Sequence, residues 1–503
     1  MTENFYTTNR YCYWVTLCSL KCIYEASMAS MFQSCRLNLD RNLYSSLFFA
    51  IVFSGLSKLT SDPRSPIRKS SLEVLFNILK DHGHLFSRQF WVGVINTIVF
   101  PIFSSLHDKK EMDEDENDEY SEGTTWDSDT CTVAADCLVD LFVSFFNVIR
   151  SQLPGVVSIL TGYIRSPIQG PASTGVAALM RLAGDLGNRL SEDEWREIFL
   201  ALKQAATLTV PGFMKVLRTM DDVNVLGIAQ SYYDVDVASD QGLSADGLDD
   251  DDLQMASYIV SRMKSHIAMQ LLIIQVSFLL IFQFCSCSCF LGYKIFRHSF
   301  NQVITDLYKS HTQPFSEANI SIILDIFSSV ATHSQKLNSN TVLHKKLQKA
   351  CSILEISDPP VVHFENESYR SYLNFLQNML ADSPSLTNAT LVESELVVVC
   401  EQILHIYLKC TGAPSEKKEP NQPVLHWILP LGSAKKEEVA ARTSLVVSAL
   451  EVIRGFERDL FKRCVQRLFP LLVDLVRSEH SSGEVQLVLS SILQSCIGPI
   501  IMQ

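Results

Sequence analysis

Asp62-Pro-Arg-Ser-Pro-Ile-Arg-Lys-Ser-Ser-Leu-Glu-Val-Leu-Phe-Asn-Ile-Leu-Lys80 decides how this chain folds. Ser65 has the side chain of an N-cap, and Pro66 follows at the first helical position, where a missing N–H costs nothing. Leu72, Leu75, Phe76 and Leu79 recur at i, i+3, i+4 and i+7, so one stripe of this helix is apolar. The preceding run, Leu47 to Leu59, is mostly apolar and of helical length. Two helices joined by a tight turn carrying Asp and Arg form the unit of a helical-hairpin repeat, which buries its stripes only by stacking on its neighbours.

The same periodicity predicts further helices over 87–106, 130–151, 153–164, 172–188 and 192–206, another from about Leu253, and then 316–334, 341–353, 365–381, 391–410, 434–454, 457–477 and 482–497. Ser191-x-x-Glu194 and Ser481-x-x-Glu484 read as capping boxes. Pro101 and Pro470 should each kink a helix. No strand signature appears with any force, so the fold class is all-α.

The chain has 503 residues, of which 47% are hydrophobic and 19% charged, enough to bury a large core. Its net charge of −13 is unevenly placed. Glu111 to Glu122 holds eight acids and Asp234 to Asp252 another eight, both without a Lys or Arg, so the helical body is close to neutral. A broad basic surface for nucleic acid is excluded on that ground. Of the 14 cysteines, Cys12, Cys18, Cys22 and Cys35 crowd the N-terminus, Cys285, Cys287 and Cys289 form a run, and the other seven are scattered mostly along helical stretches, as in a reducing compartment. The N-terminus lacks the pattern of a secretory signal. The chain reads as cytosolic.

This divides the chain into a poorly specified N-terminal segment (1–44), a helical repeat region (45–220) with an acidic loop near 108–129, an acidic linker (221–252), a second helical region (253–410), a linker (411–432) and a C-terminal helical block (433–503). Ile267 to Tyr293 carries no charge and is long enough to span a bilayer. Gln270, Gln275, Gln283 and a Ser/Cys run dilute its apolarity, which argues against a span. Joining Gln275 to Val303 continues the stripe of Ile267, Leu271 and Ile274 into Ile304, Leu307 and Tyr308. Gln275-Val276-Ser277 also reads as an in-frame splice donor, so residues 276–302 are read as an intron-derived insertion, with a membrane helix and an ordinary buried helix as the alternatives.

Several motifs carry less than they suggest. Gly170-Pro-Ala-Ser-Thr-Gly175 begins like a phosphate-binding loop, but Val176 and Ala177 stand where Lys and Ser/Thr are required. Asp234, Asp236 and Asp240 lack the turn glycine and closing carboxylate of a calcium loop. Cys285, Cys287 and Cys289 have no second ligand pair at finger spacing. His82 and His84 flank a helix-ending glycine. No metal, cofactor or catalytic residue is expected. Arg458, Lys462, Arg463 and Arg467 form the one candidate partner or membrane surface, because spacings of four align them in two tracks on a single helix. A solvated outer face is the plainer reading of those four.

Leu56-Ser-Lys-Leu-Thr-Ser-Asp62-Pro-Arg64, Arg68-Lys-Ser-Ser-Leu-Glu-Val-Leu-Phe76, Phe90-Trp91 and Phe100-Pro101-Ile102-Phe103 resemble the downstream helical homology regions of large ARF guanine-nucleotide-exchange factors, brefeldin A-inhibited (BIG-type) plant members above all. Trp427-Ile-Leu-Pro-Leu-Gly-Ser433, Ala440-Ala-Arg-Thr-Ser-Leu-Val-Val-Ser-Ala449 and Leu468-Phe-Pro-Leu-Leu-Val-Asp-Leu475 are similar to their C-terminal block. The resemblance implies a HEAT/armadillo-like α-solenoid acting in vesicle transport at Golgi and endosomal membranes. It also implies an ARF-class small GTPase and an anionic membrane surface as partners. Exchange in this family belongs to a separate Sec-seven-type domain with a Phe-Arg-Leu-Pro-Gly-Glu-Ala motif, which this sequence does not contain. A regulatory, non-enzymatic C-terminal region is therefore expected, docking to GTPase, membrane or the exchange domain. A free-standing scaffold for trafficking partners and a single-span membrane protein are the competing readings.

Overall fold

The structure is a computed structural model that describes residues 41–104, 126–166, 168–219, 250–282, 315–340, 347, 350–351, 354, 361–382, 389–411 and 433–501. Those residues are helical with no strand among them, and they form two compact units. One comprises residues up to Cys137 together with Ser144–Gln152, and the other comprises Leu138–Val143 and Leu153 onward.

In the first unit, α1 (Arg41–Leu59) and α2 (Ser65–His82) make the expected hairpin. Its turn is held by Arg68, whose buried guanidinium donates to the carbonyls of Asp62 (2.9 Å) and Pro63 (2.8 Å). The same group reaches Asp127 at 3.0 Å, fixing α2 to the start of α5 (Ser128–Ile149). Burial works to raise the Asp127 carboxyl, but hydrogen bonds from Thr130, Arg68 and Ser65 outweigh it and hold it well below the usual carboxylate range. Ser65 is not the N-cap expected of it. Arg64 occupies that position, and the Ser65 hydroxyl donates to Asp127 instead.

α3 (Arg88–Val94) leads into a π-helical turn, Ile95–Val99, and then α4 (Phe100–Ser104). The kink expected at Pro101 takes this form. Pro101 has no N–H to give, and the N–H of Phe100 bonds to the Ile95 carbonyl five residues back. The arrangement recurs at the end of the chain. There α15 (Glu484–Ile492) passes through a π turn, Leu493–Ile497, into α16 (Gly498–Ile501), with Pro499 at the same register. Pro470 behaves differently, and its helix runs through it unbroken.

The second unit contains α6 (Leu153–Ile164), α7 (Gln169–Leu186), α8 (Glu192–Thr219), α9 (Asp250–Phe282), α10 (Glu317–Ser339), α11 (Val361–Asp382), α12 (Ala389–Thr411), α13 (Ser433–Arg454), α14 (Arg458–Arg477) and α15. Helices pack on the next in sequence and on the next but one. α6–α8–α10 and α12–α14 fall in one layer and α7–α9–α11–α13–α15 in the other, which is the two-layer stack of an α-solenoid. α8 extends past the predicted end at 206 and through Pro211, whose ring sits on the exposed side.

Gly175 explains itself here. A Cβ at that position would stand 2.7 Å from the Ile164 nitrogen and 2.9 Å from the Leu160 carbonyl oxygen, so α7 can approach α6 this closely only without a side chain. The half phosphate loop is thus a helix-packing site. Gly175→Ala is expected to destabilise the chain by about 1–3 kcal/mol through overpacking, measured by chemical denaturation.

Among the described residues two helical stretches are long and apolar enough to cross a membrane, Ser128–Ile164 (α5 and α6 with the short turn between them) and Leu253–Ile281, with 44% and 56% of their apolar windows buried in the protein. α9 has polar side chains inside the stack. Gln270 donates to the Ala206 carbonyl and the Thr209 hydroxyl of α8, both at 2.8 Å. His266 meets His333 of α10, Nε2 to Nε2, at 2.8 Å, and its ring stacks on Phe213 of α8. Residues 276–282, the start of the expected insertion, complete α9, with Val276, Leu280 and Ile281 buried. Residues 283–302 lie outside the described residues, as do the Cys285–Cys289 run, Asp234–Asp240, both acidic runs up to residue 249 and the predicted join to Val303.

Candidate interaction surface

α14 is the most amphipathic of the described helices. Phe461, Cys464, Leu468, Leu471, Leu472 and Leu475 form its buried face. Its C-terminal end is fastened to α12 through His480, whose Nε2 donates to the Leu475 carbonyl at 2.8 Å. Its Nδ1 accepts from the Tyr407 hydroxyl at 3.0 Å. Burial lowers the His480 pKa, against the opposing pull of that carbonyl. This neutral tautomer suits the bond from Tyr407.

The four cations expected on this helix separate into two functions. Arg463 pairs with Glu393 of α12 at 2.9 Å, and Arg467 pairs with Glu401 of α12 at 2.5 Å. These two bind the protein's own stack. Arg458 and Lys462 stand exposed on the other side of the buried face, and among the described residues neither makes an ion pair. The sequence showed the periodicity of the four. It could not show that two of them meet carboxylates 70 and 66 residues upstream.

The residue that sequence reasoning missed is Arg442. Its side chain is 2% exposed and so is that of Glu365, which it meets at 2.6 Å. Glu438 lies 3.0 Å away on its other side. Asn338 of α10 donates to Glu365 (2.8 Å), Asn366 of α11 donates to the Ala441 carbonyl (3.0 Å), and the Cys410 thiol of α12 donates to Glu438 (3.3 Å). Burial opposes the charge of Arg442, and Glu365 with its other neighbours more than restores it, so its pKa is raised. One cluster therefore joins α10, α11, α12 and α13. Beside it lies a cavity of about 10 Å³ lined by Tyr369, Ile403, Tyr407 and Leu445, room for about one water.

Burial raises the thiol pKa of Cys410 to about 12 and that of Cys464 to about 11, leaving both unreactive. Among the described residues no three His, Cys, Asp or Glu side chains gather as a metal site. His82 ends α2 with its ring against Phe49, and His84 lies in the short 3₁₀ turn that follows. α14 is the element whose charge is partly left over after the stack is built.

Among known families, residues 297–494 match the one described as the BIG2 C-terminal domain. Brefeldin A-inhibited guanine nucleotide-exchange protein 1 of Arabidopsis thaliana is 48% identical over 460 residues, covering 90% of this chain and 25% of that protein. Protein 4 of the same name and organism is 45% identical over 457 residues, with the same shares. The ADP-ribosylation factor guanine nucleotide-exchange factor SEC7 of Saccharomyces cerevisiae is 22% identical over 158 residues, 31% of this chain and 8% of that one. The chain spans about a quarter of the length of the Arabidopsis relatives it matches. Among solved structures, a circular tandem repeat protein matches at 10% identity with a TM-score of 0.20, covering 91% of this chain and 98% of that one, which is too slight to carry an argument.

Proposed function

This chain belongs to the family of brefeldin A-inhibited guanine nucleotide-exchange proteins, and from that premise we propose that it is a non-catalytic docking and regulatory region of an ARF exchange factor. The observation that carries the reading is the alignment of 90% of the chain with only a quarter of each Arabidopsis relative, together with its match to a C-terminal domain of the family. A stack of amphipathic hairpins supports it, because such a stack offers long helix faces for partners and few convergent polar groups for chemistry.

The partner is an ARF-class GTPase, with an anionic membrane surface or the family's exchange domain meeting other faces, and the setting is the cytosolic side of Golgi and endosomal membranes during vesicle transport. The relatives' names support the GTPase class, and the two unpaired cations of α14 support an acidic counterpart. The test is calorimetric titration of the purified chain with an ARF-class GTPase loaded with GDP or with a non-hydrolysable GTP analogue. Saturable binding to one form is expected. No binding to either form by a chain of normal helical content would remove the GTPase from the proposal.

A further inference from the structure

Within the second unit, three of the steps between helices of one layer carry a basic–acidic pair. Lys203 of α8 meets Asp325 of α10 at 2.8 Å, Arg442 of α13 meets Glu365 of α11 at 2.6 Å, and Arg463 and Arg467 of α14 meet Glu393 and Glu401 of α12 at 2.9 and 2.5 Å. Each of these steps joins an apolar seam to a basic–acidic pair. α14 then repeats half of the device on its opposite flank. At 100° per residue, Arg458, Lys462, Val465, Phe469, Val473 and Val476 (spacings of 4, 3, 4, 4 and 3) form one line on the side of the buried face away from Arg463 and Arg467. Phe469 is 44% exposed and Val476 56%, so two large apolar side chains stand open beside the two cations.

We infer that this flank of α14 is the docking face for an amphipathic helix of a protein partner, one that carries carboxylates beside its apolar stripe. That helix stands to α14 as α14 stands to α12. Its carboxylates meet Arg458 and Lys462, and its apolar side chains cover Phe469 and Val476. A lipid surface fits less well. The broad apolar face of α14, with Phe461, Leu468 and Leu472, is already spent inside the protein. What remains is a ridge one residue wide, which suits the groove of another helix better than insertion into a bilayer. The inference rests on the packing of α14 alone and is independent of any role with a GTPase.

The probe is a synthetic peptide of residues 457–478 carrying Arg463→Glu and Arg467→Glu, which turns the flank that α14 offers to α12 into an acidic one. The unaltered 457–478 peptide is its control. The full chain should bind the acidic peptide and discriminate against the control. Arg458→Glu with Lys462→Glu should weaken the acidic peptide by about tenfold or more and reverse the preference. Phe469→Ser with Val476→Ser should weaken both peptides, with circular dichroism confirming that each variant is folded. Equal binding of the two peptides, or indifference to Arg458→Glu with Lys462→Glu, would overturn the inference. So would loss of binding to phosphatidylserine vesicles in that variant with peptide binding intact, which assigns the flank to lipid. Self-association of the chain that Phe469→Ser with Val476→Ser abolishes, without peptide binding, would assign it to a second copy and overturn it equally.

Discussion

Replacing Arg442 with alanine is expected to cost the chain about 3–5 kcal/mol of stability, the range for removing one partner of a buried ion pair. Among the described residues the substitution leaves the Glu365 carboxylate, 2% exposed, with only the Asn338 amide as a donor 2.8 Å away, and it deprives Glu438 of the guanidinium as well. Packing is lost too, since Arg442 is among the largest fully buried side chains. Four helices meet at this cluster, so the damage should spread through α10 to α13. Two variants separate charge from shape. Arg442→Met keeps most of the volume and should remain strongly destabilised. Arg442→Met with Glu365→Gln removes the stranded charge and should recover a large part of the loss, as measured by urea denaturation followed by helical circular dichroism. A loss below about 1 kcal/mol for Arg442→Ala, the level of a surface pair, would show that the cluster does not hold these helices together.

Acidification should weaken the fold well above the pH at which carboxylates titrate. Burial holds His266 at about 3, with the neighbouring His333 adding to the shift. Burial likewise holds His333 at about 4, with Lys336 adding to it. The unfolded chain binds the same protons near pH 6.5. Because both folded values are depressed, the neutral pair is stable above pH 6.5. Between there and about pH 4 only the unfolded state gains protons, so stability falls as pH falls. The slope is on the order of 1.4 kcal/mol per pH unit for each histidine. Geometry agrees with this sign. The two Nε2 atoms, 2.8 Å apart, share one proton, and Phe213 on one side and Phe364 on the other offer a new charge no partner. Urea midpoints from pH 7.5 to 4.5 should drop steeply in the natural chain. In His266→Leu with His333→Met the slope should flatten, whatever its stability at pH 7.5. An unchanged slope would show that the pair does not set the response.

Much of the fold could be read in advance from apolar spacing. The stripe of Leu72, Leu75, Phe76 and Leu79 is the buried face of α2, and the Ser191–Glu194 box forms, with the Ser191 N–H donating to Glu194 at 2.7 Å. The readings that failed depended on contacts distant in sequence. Ser65 gave its hydroxyl to Asp127, 62 residues on. The Ser481–Glu484 box does not form, since Ser481 bonds the Thr443 hydroxyl at 2.7 Å and α15 begins at Glu484 behind Gly483. α8 runs on through Pro211, whose ring is on the exposed side, and Gln270 of α9 bonds the Ala206 carbonyl and the Thr209 hydroxyl just before it.

The candidate surface divides in the same way. Local spacing placed Arg458, Lys462, Arg463 and Arg467 on one helix. Only the folded chain distinguishes the pair consumed by Glu393 and Glu401 from the pair left open. Arg442 sits within Ala440–Ala449, a block of the family resemblance, and its burial gives that block a physical reason that composition alone does not.

The most direct measurement is nucleotide exchange. The purified chain, at micromolar concentration and with anionic vesicles present, is mixed with an ARF-class GTPase carrying a fluorescent GDP analogue. The account predicts release at the spontaneous rate, whether or not the chain binds the GTPase. Acceleration that grows with the concentration of the chain would contradict it, because a stack of docking helices would then contain a reaction centre.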